Sequence, residues 1–402
     1  MDEDLDALPA SSPSSAAILA VVRHTGGVSR ADLATLTGLS KAIVSERVRW
    51  LVGSGLVEET GANASTGGRR GTALSLSRSR GVVVAAEVAM THLQVTVFSF
   101  AHELLWEERV PVSMWQGPEL VLDELERATE RGLAATEAHH PLCGIGVGIA
   151  GPVEFETGRT IHPPVHPDWH DQPVRDRLQQ RFGVPARVDN EVNLMALAER
   201  TVGHGRNVRD LLVIKVGSFV GAGLISNGQL HRGAQGSAGS LVTSQGSAYL
   251  VEQATLLVGS GRSPLLAEAT REGQEITARM VVDAARRGDE ASRELLDKAA
   301  ESIGQVLSVL VDFFNPAIVV VAGRPADGND FLARIRETVY GRSLALATRD
   351  LRIVPSELGD ESASLGAAIM ILDEITGADL LTHTARRLSG PRGTQQPVPG
   401  RH

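Results

Sequence analysis

Two glycine-rich loops flank one short hairpin near the middle of the chain, and around them stand the residues best suited to holding a small polar ligand. Residues 211–245 read LLVIKVGSFVGAGLISNGQLHRGAQGSAGSLVTSQ. The first loop, Gly217-Ser218-Phe219-Val220-Gly221-Ala222-Gly223, follows an apolar run of strand length. The second, Arg232 to Gly239, follows Asn227-Gly228, the strongest short hairpin signal in the sequence. Glycine at this density lets the backbone take positive φ and come close to a ligand. Upstream, Asp189, Asn190, Glu191 and Asn193 gather where a short strand runs into a helix, and strand ends carry the ligand sites of α/β domains. Asn190, Glu191, Asn193, Gly221, Arg232 and Gly239 therefore form a candidate ligand-binding set. The alternative is a pair of ordinary hairpin turns.

A different chemistry, contact with phosphates and base edges, is written at the N-terminus. Ala16 to His24 has helical spacing and is stopped by Gly26-Gly27. Ser29 is placed to cap a second helix, RADLATLT. Gly38-Leu39-Ser40 makes a tight turn, with Ser40 capping a third helix from Lys41. Two helices joined by a short glycine-containing turn describe a DNA-binding helix-turn-helix. Helical spacing sends Val44, Val48, Leu51 and Val52 inward and leaves Lys41, Ala42, Ser45, Glu46 and Arg49 on the other face. With Ser40, the first of these are what a recognition helix offers to bases, while Arg49 suits phosphate. Glu46 either accepts from a cytosine amino group or points sideways. LVEET and TALSLS read as two strands of a wing, whose tip, GANASTGGRRG, carries Arg69 and Arg70 for phosphate or minor-groove contact.

The charge is divided to match. The whole chain of 402 residues has a formal net charge of −9. Residues 15–80 hold 9 Lys+Arg and 4 Asp+Glu, a net of +5. The 4 acids of residues 1–14 leave a net of −10 for residues 81–402. A small basic module is joined to a large acidic one. The expected division is an acidic disordered tail (1–14), a winged helix-turn-helix (15–80), an α/β domain (81–380) and a disordered Pro/Gly-rich tail (389–402). No apolar run reaches membrane-span length. The start, MDEDLDALPASSPSS, is the opposite of a signal or transit peptide. A single cysteine, Cys143, excludes an internal disulfide and a cysteine-rich metal cluster. A cytoplasmic protein is expected. His162, His166 and His170, with Asp168 and Asp171, form either a metal-holding loop or a surface loop with scattered histidines.

Within 81–380 the strand and helix signals come in two similar halves. Strands are expected in GVVVAAEVAMTHLQVTVFSF, HELLWEERVPV, GIGVGIAGPV and ARVDN, then at 211–216, in AIVVVAG and in RIVPSE, with ASLGAAIMILDEI as the closing helix. Two such halves facing each other make a cleft.

The order GIGVGIAGPV, VDNEVNLMALAE, VGSFVGAGLISNGQLHRGAQGSAG, NPAIVVVAG and SLGAAI resembles the ROK family of sugar kinases and transcription repressors, over nearly all of 81–375. The winged head ending in GGRRG is also how the repressor branch begins. The resemblance implies an α/β fold of two lobes, actin-like and ribonuclease H-like, behind the DNA-binding head. It also implies where catalysis would sit, and there the sequence departs. The kinases' Asp-x-Gly-Gly-Thr phosphate loop is matched by Glu87, Val88, Ala89, Met90 and Thr91, with Met90 expected to fill the space of a phosphate. Phe219 replaces a glycine of the second phosphate loop. Glu191 stands at the catalytic aspartate, and its added methylene moves the carboxylate by roughly an ångström, a displacement worth on the order of a hundredfold in rate. The family's Gly-Glu-x-Gly-His is here Gly239-Ser240-Leu241-Val242-Thr243, and SQGSAYLVEQAT replaces its cysteine-rich zinc loop.

The expectation is a DNA-binding transcription regulator, not an enzyme, with no zinc and no cofactor. It is expected to act as a homodimer or homotetramer on an inverted-repeat double-stranded operator, with a sugar-like effector. The rival is an ATP-dependent sugar kinase with a fused DNA-binding head.

Overall fold

The computed structural model describes residues 13–25, 27–62, 72–78, 81–136, 140–163, 167–241, 246–271, 274–323 and 329–389. The expected tail 1–14 falls outside them except for Pro13 and Ser14, which begin the first helix, and the tail from 390 onward lies outside altogether. Contacts divide the chain into two compact units, residues 1–191 with 364–402 and residues 192–363.

The head comprises α1 (Pro13–Thr25), α2 (Arg30–Thr37), α3 (Lys41–Gly53) and an antiparallel pair, β1 (Val57–Ala62) and β2 (Thr72–Leu76). Ile18, Leu19, Leu33, Val44, Val48 and Leu51 are buried together. Val52, expected inward, is only half-buried, and Trp50 is buried instead. The indole carries more apolar area to remove from water, which turns the buried arc of α3 toward it.

The head is not a compact unit of its own. The buried Arg23 guanidinium pairs with Asp373, on a helix near the C-terminus, and donates to Thr376 Oγ1, just past that helix, at 3.0 Å. The Asp373 carboxylate stays partly exposed, so the cost of breaking the contact falls on the buried guanidinium, and the contact ties α1 to the domain behind it.

The rest of the first unit is built on β3 (Val82–Val88), β4 (Leu93–Ser99), β5 (Leu104–Val110), α4 (Pro118–Ala135), β6 (Leu142–Ile149), the short pair β7 (Val153–Glu154) and β8 (Arg159–Thr160), α5 (Val174–Phe182) and β9 (Ala186–Asn190). Its sheet runs β5-β4-β3-β6-β9, with β3/β4 and β4/β5 antiparallel and β3/β6 and β6/β9 parallel. The second unit holds α6 (Glu191–Thr201, from Val192 on), β10 (Leu211–Val216), β11 (Val220–Ser226), β12 (Gln229–Leu230), α7 (Ser247–Gly259), α8 (Pro264–Ala269), α9 (Ala278–Arg286), α10 (Glu290–Phe314), β13 (Ile318–Ala322), α11 (Asn329–Arg342), α12 (Ala345–Thr348) and β14 (Arg352–Pro355). Its sheet, β12-β11-β10-β13-β14, repeats the same order and the same directions. The two halves seen in the sequence are thus two copies of one topology.

The chain returns to the first unit through α13 (Ser362–Ile375) and adds α14 (Leu381–Ser389), beyond the domain end expected at 380. Arg387 on α14 donates to the Leu142 carbonyl at 2.7 Å. Helix α13 lies directly on β6: a Cβ at Gly146 would stand 2.1 Å from the Ala367 carbonyl oxygen. The glycines of GIGVG are therefore the seat of a helix.

Cys143, the one cysteine, is the second residue of this same strand and is buried. Burial pushes its thiol up to about 12. Thiolate is the nucleophile, and with that value about one thiol in ten thousand is ionised at pH 8. The folded protein should give no reaction with a disulfide reagent at pH 8 over hours, and one equivalent on adding guanidinium. Rapid titration of the native protein would contradict the burial.

Candidate functional site

Local capping sets the geometry of the head. Ser29 and Asp32 form a reciprocal capping box at the start of α2, with the Ser29 hydroxyl accepting from the Asp32 amide at 3.2 Å. Gly38 ends α2 in the left-handed region at φ 71°, and the Ser40 hydroxyl accepts from the Ile43 amide at 3.3 Å to start α3. Such caps are worth about 1 kcal/mol each, and here they fix the angle at which α3 leaves the turn. Ser40, Lys41, Ala42, Ser45 and Arg49 are all exposed on its outer side. Glu46 is half-buried, its carboxylate 3.8 Å from Arg47, which supports the sideways alternative. Ile43 is also exposed, at 37 %. The periodicity argument passed over it as apolar, but the first turn of a projecting helix exposes every side chain, and an apolar group there suits a thymine methyl. The wing is held at its base by the Val28–Leu74 bridge and by an ion pair from Arg30 to Glu59. Arg69 and Arg70 lie outside the described residues.

The candidate ligand-binding set is divided between the two units: Asn190 and Glu191 belong to the first, Asn193, Gly221, Arg232 and Gly239 to the second. Asn190 closes β9, and its side-chain amide donates to the Gly151 carbonyl at 2.8 Å, so part of its capacity holds the turn after β6. The buried Asp189 carboxylate accepts from the Asn190 amide at 2.7 Å. Glu191 and Asn193 are buried in the first turn of α6.

The glycines differ from the expectation. Only Gly217, Ser218 and Phe219 form the turn between β10 and β11; Gly221 and Gly223 lie inside β11. A Cβ at Gly223 would stand 2.4 Å from the Val192 carbonyl oxygen, and one at Gly221 would stand 2.9 Å from Val192 Cγ2. They let α6 lie against the strand. Gly239 is different, with φ +84° and its carbonyl accepting from the Ala222 amide at 2.9 Å, which docks the second loop on β11. That loop is closed by the Ala238 amide on the Arg232 carbonyl at 3.0 Å.

The two turns that the resemblance matches to phosphate loops both carry backbone hydrogen bonds. The turn after β3 closes on itself through the Ala89 amide and the His92 carbonyl at 2.9 Å. Met90 does not fill the loop; it is buried in the core of the first sheet, because a thioether gains more there than beside solvent. At the start of α7, the Ser247 amide donates to the Gly217 carbonyl at 2.7 Å and the Ala248 amide to the Ser218 carbonyl at 3.3 Å. Free amides at a helix N-terminus are what binds phosphate, and these two are committed to the hairpin. Phe219 stands partly exposed at the hairpin tip.

Among the described residues no three His, Cys, Asp or Glu converge as metal ligands. The SQGSAYLVEQAT stretch offers Glu252 as its one donor of zinc-ligand type. His162 and His170 stack face to face, 3.6 Å between ring centroids and 8° from parallel, while His166 lies outside the described residues. No helix among the described residues is long and apolar enough to cross a membrane.

Known proteins resemble this chain over most of its length. A profile of the ROK family matches residues 83–242 and 257–374. The xylose repressor of Caldicellulosiruptor bescii is 29 % identical over 376 residues, covering 87 % of this chain and 92 % of that protein. The DNA-binding transcriptional dual regulator NagC of Escherichia coli is 25 % identical over 398 residues, covering 92 % of this chain and 94 % of NagC. Among solved structures, a ROK family transcriptional regulator described as a homologue of the E. coli MLC protein superposes with a TM-score of 0.78 at 20 % identity, over 95 % of this chain and all of that one. A ROK family glucokinase from Streptomyces griseus, in complex with glucose and AMPPNP, gives 0.64 at 24 % identity and covers 72 % of this chain. With the family profile spanning well over half its length, and with the two repeated sheets in place, this chain belongs to the ROK family.

Proposed function

We propose that this chain is a DNA-binding transcriptional regulator of the repressor type. Its winged head reads an inverted-repeat operator, and its α/β domain holds a dimer and senses a sugar or a similar polar metabolite. The observation that carries this reading is the head itself. The similarity to the named repressors runs over 87–92 % of the chain, whereas the glucokinase covers 72 %. The share the glucokinase leaves uncovered is larger than the basic module and leaves room for it. A sugar effector acts only through different affinities for the DNA-competent and incompetent arrangements.

The same domain performs no phosphoryl transfer in this account. Backbone carbonyls hold the Ser247 and Ala248 amides, the turn after β3 is closed, and Glu191 replaces the aspartate that the family resemblance puts at the catalytic base. A coupled ATP assay across a panel including xylose, glucose and N-acetylglucosamine is expected to give no turnover above background. Turnover that disappears in Glu191→Gln would establish the sugar kinase instead. Thermal shift with the same panel, without ATP, separates sensing from scaffolding: one sugar should raise the melting temperature with a saturable dose dependence. No shift across the panel would leave the domain as a dimer scaffold only.

A further inference from the structure

The cations of the head divide into two groups. Among its described residues they are Arg23, Arg30, Lys41, Arg47, Arg49 and Arg78. Four lie near a carboxylate: Arg23 pairs with Asp373 and Arg30 with Glu59, Arg78 stands 2.9 Å from Glu103, and Arg47 stands 3.8 Å from Glu46. Lys41 and Arg49 have no ion pair among the described residues, and both are exposed on the outer side of α3. At the rise of an α-helix they stand about 12 Å apart along its axis. Just ahead of the head the chain carries four acids within five positions, Asp2, Glu3, Asp4 and Asp6. These lie outside the described residues. Drawn out, a chain from Asp2 to Asp6 spans about 13 Å, close to the separation of Lys41 and Arg49. From Pro13, where α1 begins, the same scale gives a reach of about 23 Å to Asp6 and about 36 Å to Asp2. A body of the head's size is about 28 Å across, so the acids can reach its faces. The head is also where they are attracted: residues 15–80 carry a net of +5, against −10 over residues 81–402.

We infer that the acidic segment from Asp2 to Asp6 docks on the outer face of α3, across Lys41 and Arg49 of its own head, and must leave before DNA binds. The contact is autoinhibitory, and it rests on the regulator reading for the DNA that it excludes. The N-terminal end of α3 adds to the attraction, because the positive end of a helix dipole favours anions. Taken alone the contact is weak, comparable to the weak end of non-specific DNA binding at about 0.1 mM. Tethering through a short linker supplies an effective concentration of millimolar order. The ratio of the two is about ten, so about nine heads in ten are covered at low salt. A covered head excludes every duplex, so operator and unrelated DNA lose affinity by the same factor. Ion pairs at an exposed face are screened by salt, and the cover lifts as salt rises.

Two measurements on the full chain test this. The first uses the scarcity of lysine, of which the chain has three, Lys41, Lys215 and Lys298. A water-soluble carbodiimide joins an amine to a carboxylate where the two touch. In about 50 mM salt it should link Lys41 to a carboxylate of residues 2–6 within a single chain, read by mass spectrometry after tryptic digestion, and the link should fade at about 200 mM. The second compares wild type with a variant carrying Asp2→Asn, Glu3→Gln, Asp4→Asn and Asp6→Asn together. These positions precede α1, so melting should be unchanged. In gel shifts at about 50 mM salt the variant should bind a selected operator and a scrambled duplex about tenfold more tightly than wild type, and at about 200 mM the two proteins should agree within about twofold. A tighter variant without the cross-link would mean that the acids repel DNA from a distance and dock nowhere. That result, a link found only between chains, equal affinities of the two proteins at low salt, or a gain on one duplex alone would each overturn the inference. The cross-link needs no DNA, which keeps the two readings apart. If it forms while neither protein binds either duplex, the regulator reading fails and the docking stands. If it does not form and both proteins bind the operator alike, the docking fails and the regulator reading stands.

Discussion

Lys41→Ala combined with Ser45→Ala should bring operator affinity down about a hundredfold or more, to the level of unrelated DNA, while melting is unchanged. Both side chains are exposed on the N-terminal half of α3, and the inward face of that helix, Val44, Val48 and Leu51, is untouched. Each specific base contact is worth roughly 1–3 kcal/mol, and removing both takes away most of the discrimination. Changes at Arg69 and Arg70 should behave differently. Phosphate contacts carry no sequence information, so Arg69→Ala with Arg70→Ala should weaken all DNA binding alike and flatten the salt dependence by about one for each phosphate no longer neutralised. Gel shifts on specific and scrambled duplexes at two salt concentrations separate the two behaviours. Equal loss of specificity from both pairs would contradict the division between reading helix and wing.

The second large effect falls on stability. Gly146→Ala adds one methyl carbon that would stand 2.1 Å from the Ala367 carbonyl oxygen and 2.8 Å from its carbon. Both are backbone atoms of α13, so no side chain can swing aside, and the helix must lift from β6. Overpacking of this kind costs about 3 kcal/mol or more, which for a unit of this size lowers the melting temperature by roughly 6–12 °C. Asp373, the partner of Arg23, rides on the same helix, so the head should loosen as well, visible as faster hydrogen exchange in α1. Gly53→Ala is the matched control. It ends α3 with nothing within 4 Å of the added carbon, and a change from glycine to alanine in a helix gains up to about 1 kcal/mol. Equal melting of the two variants would mean that α13 is not seated on β6 as described.

That contrast also marks what a sequence can and cannot disclose here. The head was legible because its signals are local: Ser29, Gly38 and Ser40 cap and turn the helices using groups within three residues. Asn227-Gly228 was legible for the same reason, with φ of 52° and 75° at the two positions the hairpin demands. The double α/β repeat followed from apolar runs of strand length. Gly221 and Gly223 misled because glycine signals the absence of a side chain, and the reason for that absence lay in α6, some thirty residues away in the chain. Met90 misled likewise: its position in a loop motif was plain, but the direction of its side chain was decided by the core of the first sheet. The exposure of Phe313 on α10 was not legible at all, since SVLVDFF reads as core until the rest of the unit shows which side is already covered. Of the candidate ligand set, the chemistry of Asn190 was visible, but not that Gly151 already takes one of its donors.

The measurement closest to the central claim is genome-wide DNA occupancy of the tagged protein in its native host. The account predicts a reproducible inverted repeat with half-sites about one helical turn or a multiple apart, beside genes for sugar transport or breakdown, and its loss in the Lys41→Ala, Ser45→Ala variant. A folded, expressed protein with no enriched motif, and with sugar-dependent ATP consumption in the coupled assay, would contradict it.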